Sequence, residues 1–174
     1  DVPQHRLIHL CEQAAIIPDI EKARGRGSSR SFSRRNIFEF AVALQIRRAE
    51  LPVSVVRVVL RALRAFEAEV RRQIDGFALP DSLAVPRAPK LSAWILDGER
   101  LHFLLRVPGQ DPKVFGGVDV PHSTRYGRRP AQKAIGRLGV VERSELEKGR
   151  TRTEVDLSGI ASDLVGLRLR SDRP

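Results

Sequence analysis

The sequence predicts an α+β fold, an all-α N-terminal half followed by a smaller half built around a β-hairpin. Three observations predict it. Apolar residues recur at helical spacing through the first 75 positions, with breaks at Pro18 and at Leu51-Pro52. Residues 78–90 (ALPDSLAVPRAPK) hold three prolines and no periodicity. Beyond them, Asp97-Gly98 divides two strand-like runs, the pattern of a tight hairpin. The expected organisation is therefore a first domain over 1–77, a Pro-rich linker over 78–90 and a small α+β domain over 91–174.

Taken in order, residues 6–15 set Leu7, Leu10, Cys11, Ala14 and Ala15 on one helical face. Pro18 suits the first turn of a short second helix ending near Ala23, with Asp19 and Glu21 at its positive end. The stretch RGRGSSRSFS reads as a turn or hairpin. Ser33 then caps a third helix with Ile37, Phe40 and Leu44 pointing inward. Leu51-Pro52 ends it, since proline disfavours helical geometry in the residue before it. A fourth helix follows with Ser54 as its cap, an apolar stripe from Val55 to Val70 and Gly76 as its stop. In the second half, KVFGGVDV and TEVDL read as strands, with Gly116-Gly117 as a bulge or turn. Residues 123–153 read as a long loop with a short helix near Pro130, and SGIASDLVGLRLR as a closing helix carrying Ile160, Leu164 and Leu167 inward.

Composition narrows the function classes. The 174 residues are 41% hydrophobic and 30% charged, as in a globular protein, and one cysteine excludes an internal disulfide framework. No apolar run approaches the ~20 residues of a membrane-spanning helix. Asp1 to His5 leads straight into a charged amphipathic segment, so no secretory leader is expected and the expected location is cytoplasmic. The net charge is +10, shared as +5 by residues 1–80 (14 basic, 9 acidic) and +5 by residues 81–174 (17 basic, 12 acidic). Since the halves do not differ, clustering decides. Lys22, Arg24, Arg26, Arg30, Arg34 and Arg35 crowd one short stretch, with Glu21 at its margin. Arg125, Arg128, Arg129, Lys133 and Arg137 form a second acid-free window.

The first cluster carries a resemblance. Arg30-Ser31-Phe32-Ser33, the helix beginning Asn36-Ile37-Phe38-Glu39-Phe40, and the turn Leu51-Pro52-Val53-Ser54 with the helix behind it stand in the order of the MerR-like winged helix-turn-helix family. Residues 5–66 resemble that family's DNA-binding domain. The resemblance implies a bacterial, nucleoid-associated transcriptional regulator that binds duplex DNA as a homodimer. It implies DNA contacts from Asp19, Lys22 and Arg24 at the recognition helix and from Arg26, Ser28, Ser29 and Arg30 on the wing. Arg34 and Arg35 would flank the phosphates, and Phe32 would anchor the wing to the core. The basic side chains suit phosphate contact, while sequence is read at base edges. Two departures stand out: Ile20-Glu21-Lys22-Ala23-Arg24 lacks the family's arginine-then-aromatic pattern, and Glu50 occupies a turn position the family fills with glycine.

Other signals are weaker. His5 and His9 share the i, i+4 spacing of a zinc pair but have no third ligand nearby, and no metal or cofactor is expected. Cys11 falls on an apolar face and reads as core. His102 and His122 read as surface or packing residues, and Trp94 as hairpin core or the wall of an apolar pocket. No Ser/His/Asp set, phosphate loop or dinucleotide fingerprint occurs, so no catalytic residue and no enzymatic activity are expected. Residues 91–174 could also take a small-molecule effector. Two alternatives stay open. One is an antitoxin-type or interaction module whose C-terminal half binds a protein partner while the N-terminal half autoregulates. The other is an RNA-binding protein using the window 123–137, where Tyr126 alone could stack on bases.

Overall fold

The computed structural model describes residues 4–13, 15–17, 32–120 and 138–171. Within them the chain runs α1 (Gln4–Glu12), α2 (Arg34–Arg48), α3 (Val53–Arg71), β1 (Lys90–Leu96), β2 (Arg100–Arg106), β3 (Lys113–Asp119), β4 (Gly139–Val141), β5 (Arg152–Asp156) and α4 (Leu157–Ser171). The fold is α+β, with one antiparallel sheet in the order β4-β3-β2-β1-β5. None of its described helices is long and apolar enough to cross a membrane.

Local chemistry sets the helix boundaries. Ser33 caps α2 through a reciprocal box: its Oγ accepts from Asn36 N–H at 3.2 Å, and Asn36 Oδ1 accepts from Ser33 N–H at 3.4 Å. Which face of α2 turns inward differs from expectation. Ile37 is exposed and Leu44 only half-buried, whereas Phe38, Val42, Ala43 and Ile46 are inside with Phe40. The run IFEFAVAL is apolar on more than one face, so spacing alone left the rotation open. α3 begins one residue before the expected cap, with Pro52 at the cap position; Ser54 Oγ is buried without a hydrogen-bond partner. Proline's fixed φ of −70° already suits the non-helical cap, and its carbonyl accepts from Val55 and Val56 N–H. α3 also ends earlier than expected, at Arg71. Gly76, at φ +70°, serves instead the turn into Phe77.

One face of the sheet carries the helices. Leu91, Ala93, Ile95, Leu101, Phe103, Leu105, Phe115 and Val155 share a core with Leu10 of α1, the buried faces of α2 and α3, and Leu157 and Ala161 of α4. Phe66 of α3 is the pivot, 4.9 Å from the Phe103 ring and 5.0 Å, edge-on, from Phe115. Losing so buried an aromatic typically costs ~3–5 kcal/mol, enough to matter to both halves at once. The stretch 78–90, read from sequence as a linker, places Leu79 and Leu83 in this same core and buries Ala88. It contains a 3-10 turn at Asp81–Leu83 and a cis Leu79–Pro80 bond.

The hairpin at Asp97-Gly98 forms as expected, with both residues at positive φ (51° and 67°), as a type I′ turn requires. The strands at KVFGGVDV and TEVDL and the closing helix also form. The expected bulge is present too: between the pairs Leu101↔Val118 and Phe103↔Phe115, β3 has two residues, Gly116 and Gly117, where β2 has only His102. Two elements were missed in the stretch read as loop, the short β4 and a 3-10 turn at Arg143–Glu147. The second helix expected over 18–23 and the short one near Pro130 lie outside the described residues.

The second face of the sheet is crossed by the chain between β4 and β5. Leu146 in that crossing packs with Trp94, Leu104, Val114 and Val141. The crossing is tied down at Asp97, whose Oδ1 accepts from Arg150 N–H (2.9 Å), Thr151 N–H (2.8 Å) and Thr151 Oγ1 (3.2 Å).

Candidate nucleic-acid interface

The residues expected to meet DNA divide into two sets. Asp19, Lys22, Arg24, Arg26, Ser28, Ser29 and Arg30 lie outside the described residues. Phe32, Arg34 and Arg35 lie within them, at the entry to α2.

Phe32 is half-buried and meets Phe40 edge-on at 5.1 Å, so the chain arriving from the basic stretch is fastened to the core one residue before the Ser33 cap. Arg34 reaches Asp81 of the 3-10 turn, with Nη1 2.6 Å from the carboxylate. Arg35 turns to the groove between α2 and α3, where its guanidinium lies 2.7 Å from Glu67 and 3.5 Å from Glu39. Both arginines therefore meet carboxylates of the fold itself, while about a third of each side chain stays open to solvent.

Sequence reasoning missed the network behind Arg35. Glu39 and Glu67 are almost wholly buried, at 2% and 3% exposure, deep among apolar side chains. Arg64 grips Glu39 with two parallel bonds of 2.8 and 2.7 Å. Glu67 Oε1 accepts from Arg71 at 2.9 Å and from Leu79 N–H at 3.2 Å, and Arg71 Nε donates to the Phe77 carbonyl at 3.0 Å. Asn36, fully buried, donates from Nδ2 to the Ile17 carbonyl at 3.0 Å and to Glu39 at 3.5 Å. A carboxylate survives in such a place only when it is paired and hydrogen-bonded. The network thus joins α2, α3, the chain after α1 and the start of the 78–90 stretch. Its sequence signal was the i, i+4 pairs Arg35/Glu39 and Glu67/Arg71, each with its acid inside an apolar run.

Glu50, after the C-cap of α2, has φ +60°, the left-handed conformation that glycine adopts most cheaply. Arg47 Nη1 donates to the Leu51 carbonyl at 2.6 Å and steadies that turn. On the open side of α3, Arg61 is exposed, and Arg57 Nη2 donates to Gln13 beyond the end of α1 at 3.2 Å. No protein-family model matches the chain, and searches of curated proteins and of solved structures found no match either.

A second cluster of chemically capable side chains lies under the crossing on the other face of the sheet. His102 is 3% exposed and its Nδ1 has no hydrogen-bond partner; Trp94, directly opposite on β1, has its Nε1 buried and unpartnered as well. Burial, followed by the nearby Arg100 guanidinium, pushes the His102 imidazole below its usual value, and Glu145 opposes that shift. Glu145 itself is held low by its hydrogen bond to Lys148. A neutral, desolvated imidazole beside an indole and a pair of glycines has no nucleophile to activate among these neighbours, so packing accounts for it. Cys11 is half-buried against the main core. Among the described residues no three of His, Cys, Asp or Glu converge as a metal-ligand set.

Proposed function

We propose that this protein is a sequence-specific, DNA-binding transcriptional regulator of MerR-like type, acting as a homodimer on duplex DNA in the bacterial nucleoid. The observation that carries the reading is the fastening at the entry to α2. Phe32 on Phe40 and the Ser33–Asn36 box fix one end of the Lys22–Arg35 cluster beside the α2–α3 pair. A basic hairpin that leaves a rigid helical frame at a fixed point is what backbone docking to a duplex requires. The left-handed φ at Glu50 supports the same reading, because the family fills that turn with glycine.

In this reading Asp19, Lys22 and Arg24 belong to the recognition helix and Arg26, Ser28, Ser29 and Arg30 to the wing. Arg34 and Arg35 stand behind them, each held by a carboxylate and presenting its remaining donors to phosphate. Residues 91–174 supply the sheet against which the helical frame packs.

The test is the salt dependence of binding to duplexes selected from a random pool. Arg30→Ala is expected to weaken binding and to flatten the slope of log K against log salt by about one unit, the share of one phosphate contact. Equal affinity of the wild type and the variant for every selected duplex overturns the proposal.

A further inference from the structure

β5 is the edge of the sheet beyond β1. Asp97 N–H donates to the Thr151 carbonyl at 2.9 Å, so residues 151, 153 and 155 make the hydrogen-bonded pairs with β1. The alternation of an antiparallel ladder then turns the main-chain N–H and C=O of Arg152 and Glu154 away from β1, along the outer edge. No hydrogen bond among the described residues meets them there, and both residues are exposed. An open row of main-chain donors and acceptors is a template for one more strand.

The charges say which strand. Edge charges repel a strand of like pattern and admit one of opposite pattern. Arg152-Thr153-Glu154 reads positive, neutral, negative, and that order is complementary to itself when reversed. With a two-fold axis at Thr153, Arg152 faces Glu154 of a second copy, Glu154 faces its Arg152, and the two threonines face each other. A parallel arrangement would set like charges side by side, and moving the axis to Glu154 would bring its two carboxylates together. The Arg152 guanidinium also lies 5.1 Å over the Trp94 ring, which restrains that side chain before any partner arrives. The opposite edge, β4, offers Gly139, Val140 and Val141 and no charge pattern.

We propose that two copies of this chain pair antiparallel through β5 about Thr153, joining their five-stranded sheets into one continuous sheet. The contact is isologous, as a closed two-fold dimer requires. The proposal rests on the dimeric state given above and is independent of the DNA contacts.

Sedimentation velocity on the full chain, over a concentration series without nucleic acid, tests it. The wild type is expected to dimerise. Arg152→Glu and Glu154→Arg should each weaken dimerisation by about ten-fold or more, because each replaces attractive facing pairs with repulsive ones. The double variant R152E/E154R should recover the dimer although it does not restore the stacking on Trp94, and mixing the two single variants should give a heterodimer. Circular-dichroism melting checks that each variant is folded. Should the charge variants not fold, Glu154→Pro removes an outward-facing N–H without touching the bonds to β1, and it should abolish the dimer. A wild type that stays monomeric throughout overturns the proposal. So does a dimerisation constant unchanged in the folded single variants, a double variant no better than either, or a dimer that survives Glu154→Pro. Because no DNA is present, failure here leaves the Arg30→Ala comparison standing, and failure there leaves this one standing.

Discussion

Gly116 lies so close beneath the His102 imidazole that a methyl group at its Cα would come within 2.5 Å of the ring's Cδ2 and 2.9 Å of Nε2. The bulge in β3 and the burial of His102 are therefore one feature, since the ring occupies the space a side chain would need. Gly116→Ala should destabilise the fold by about 1–3 kcal/mol through overpacking. Urea denaturation gives the loss, and a shifted His102 ring resonance should accompany it.

His102 also sets a pH dependence. Its imidazole titrates below the unfolded value of about 6.5, so between the two values the unfolded chain binds more protons than the folded one. The stabilisation is complete above the unfolded value and is lost as pH falls through the window beneath it. Denaturant midpoints should decline from pH 7 towards pH 5, and His102→Gln should flatten that decline. An undiminished slope in the variant would assign the effect to other groups.

The buried carboxylates separate two kinds of ion pair. Arg64→Ala removes both short bonds to Glu39 and leaves that acid with Arg35 at 3.5 Å and Asn36. The expected cost is about 2–4 kcal/mol, because a buried charge loses its best partner. Arg72→Ala, which breaks a surface contact to Glu69, should cost under about 0.5 kcal/mol. Thermal melts of the two variants side by side test the contrast.

Glu50 is a place where the fold can be improved. Its φ of +60° is strained for a side-chain-bearing residue, so Glu50→Gly is expected to stabilise by about 0.5–1 kcal/mol. A lower melting temperature would show that the side chain makes a contact worth more than the strain.

How much of this was legible in the sequence depended on the range of the interactions concerned. Ser33 and Asp97-Gly98 act on neighbours a few residues away, and their expected roles appear in the structure. The glycine pair Gly116-Gly117 marked its bulge by residue type alone, although His102 opposite it is 14 positions away. The rotation of α2 did not follow from spacing, because Ile37, Phe38, Phe40 and Val42 offer apolar surface in several directions. The face that turns inward puts Phe38, Val42, Ala43 and Ile46 in the core and sets Glu39 against Arg64, 25 positions away, a pairing that no local pattern announces. Ser54 looked like a cap and is not one, because the cap falls two residues earlier, at Pro52, and the helix is already under way at Val53. At the candidate interface, the arginines of α2 were found by clustering, but their partners Asp81 and Glu67 are far along the chain and were not. The chain through Asp19 to Arg30 lies outside the described residues, so its assignment rests on resemblance and charge order.

The passage of the chain from β4 to β5 across the whole sheet has a consequence for the order of assembly. β1, β2 and β3 are joined in sequence and close over short loops, whereas Val155 must find Ala93 from 62 positions away after the intervening chain has crossed the face. Closing so long a loop costs entropy that is recovered only when β5 docks and α4 comes down behind it. The three-stranded meander should therefore be in place first, with β5 added as the final stave. Pulse-labelled amide exchange during refolding should protect Phe103 and Leu105 before Val155, and simultaneous protection of all three would mean that the sheet forms in a single step.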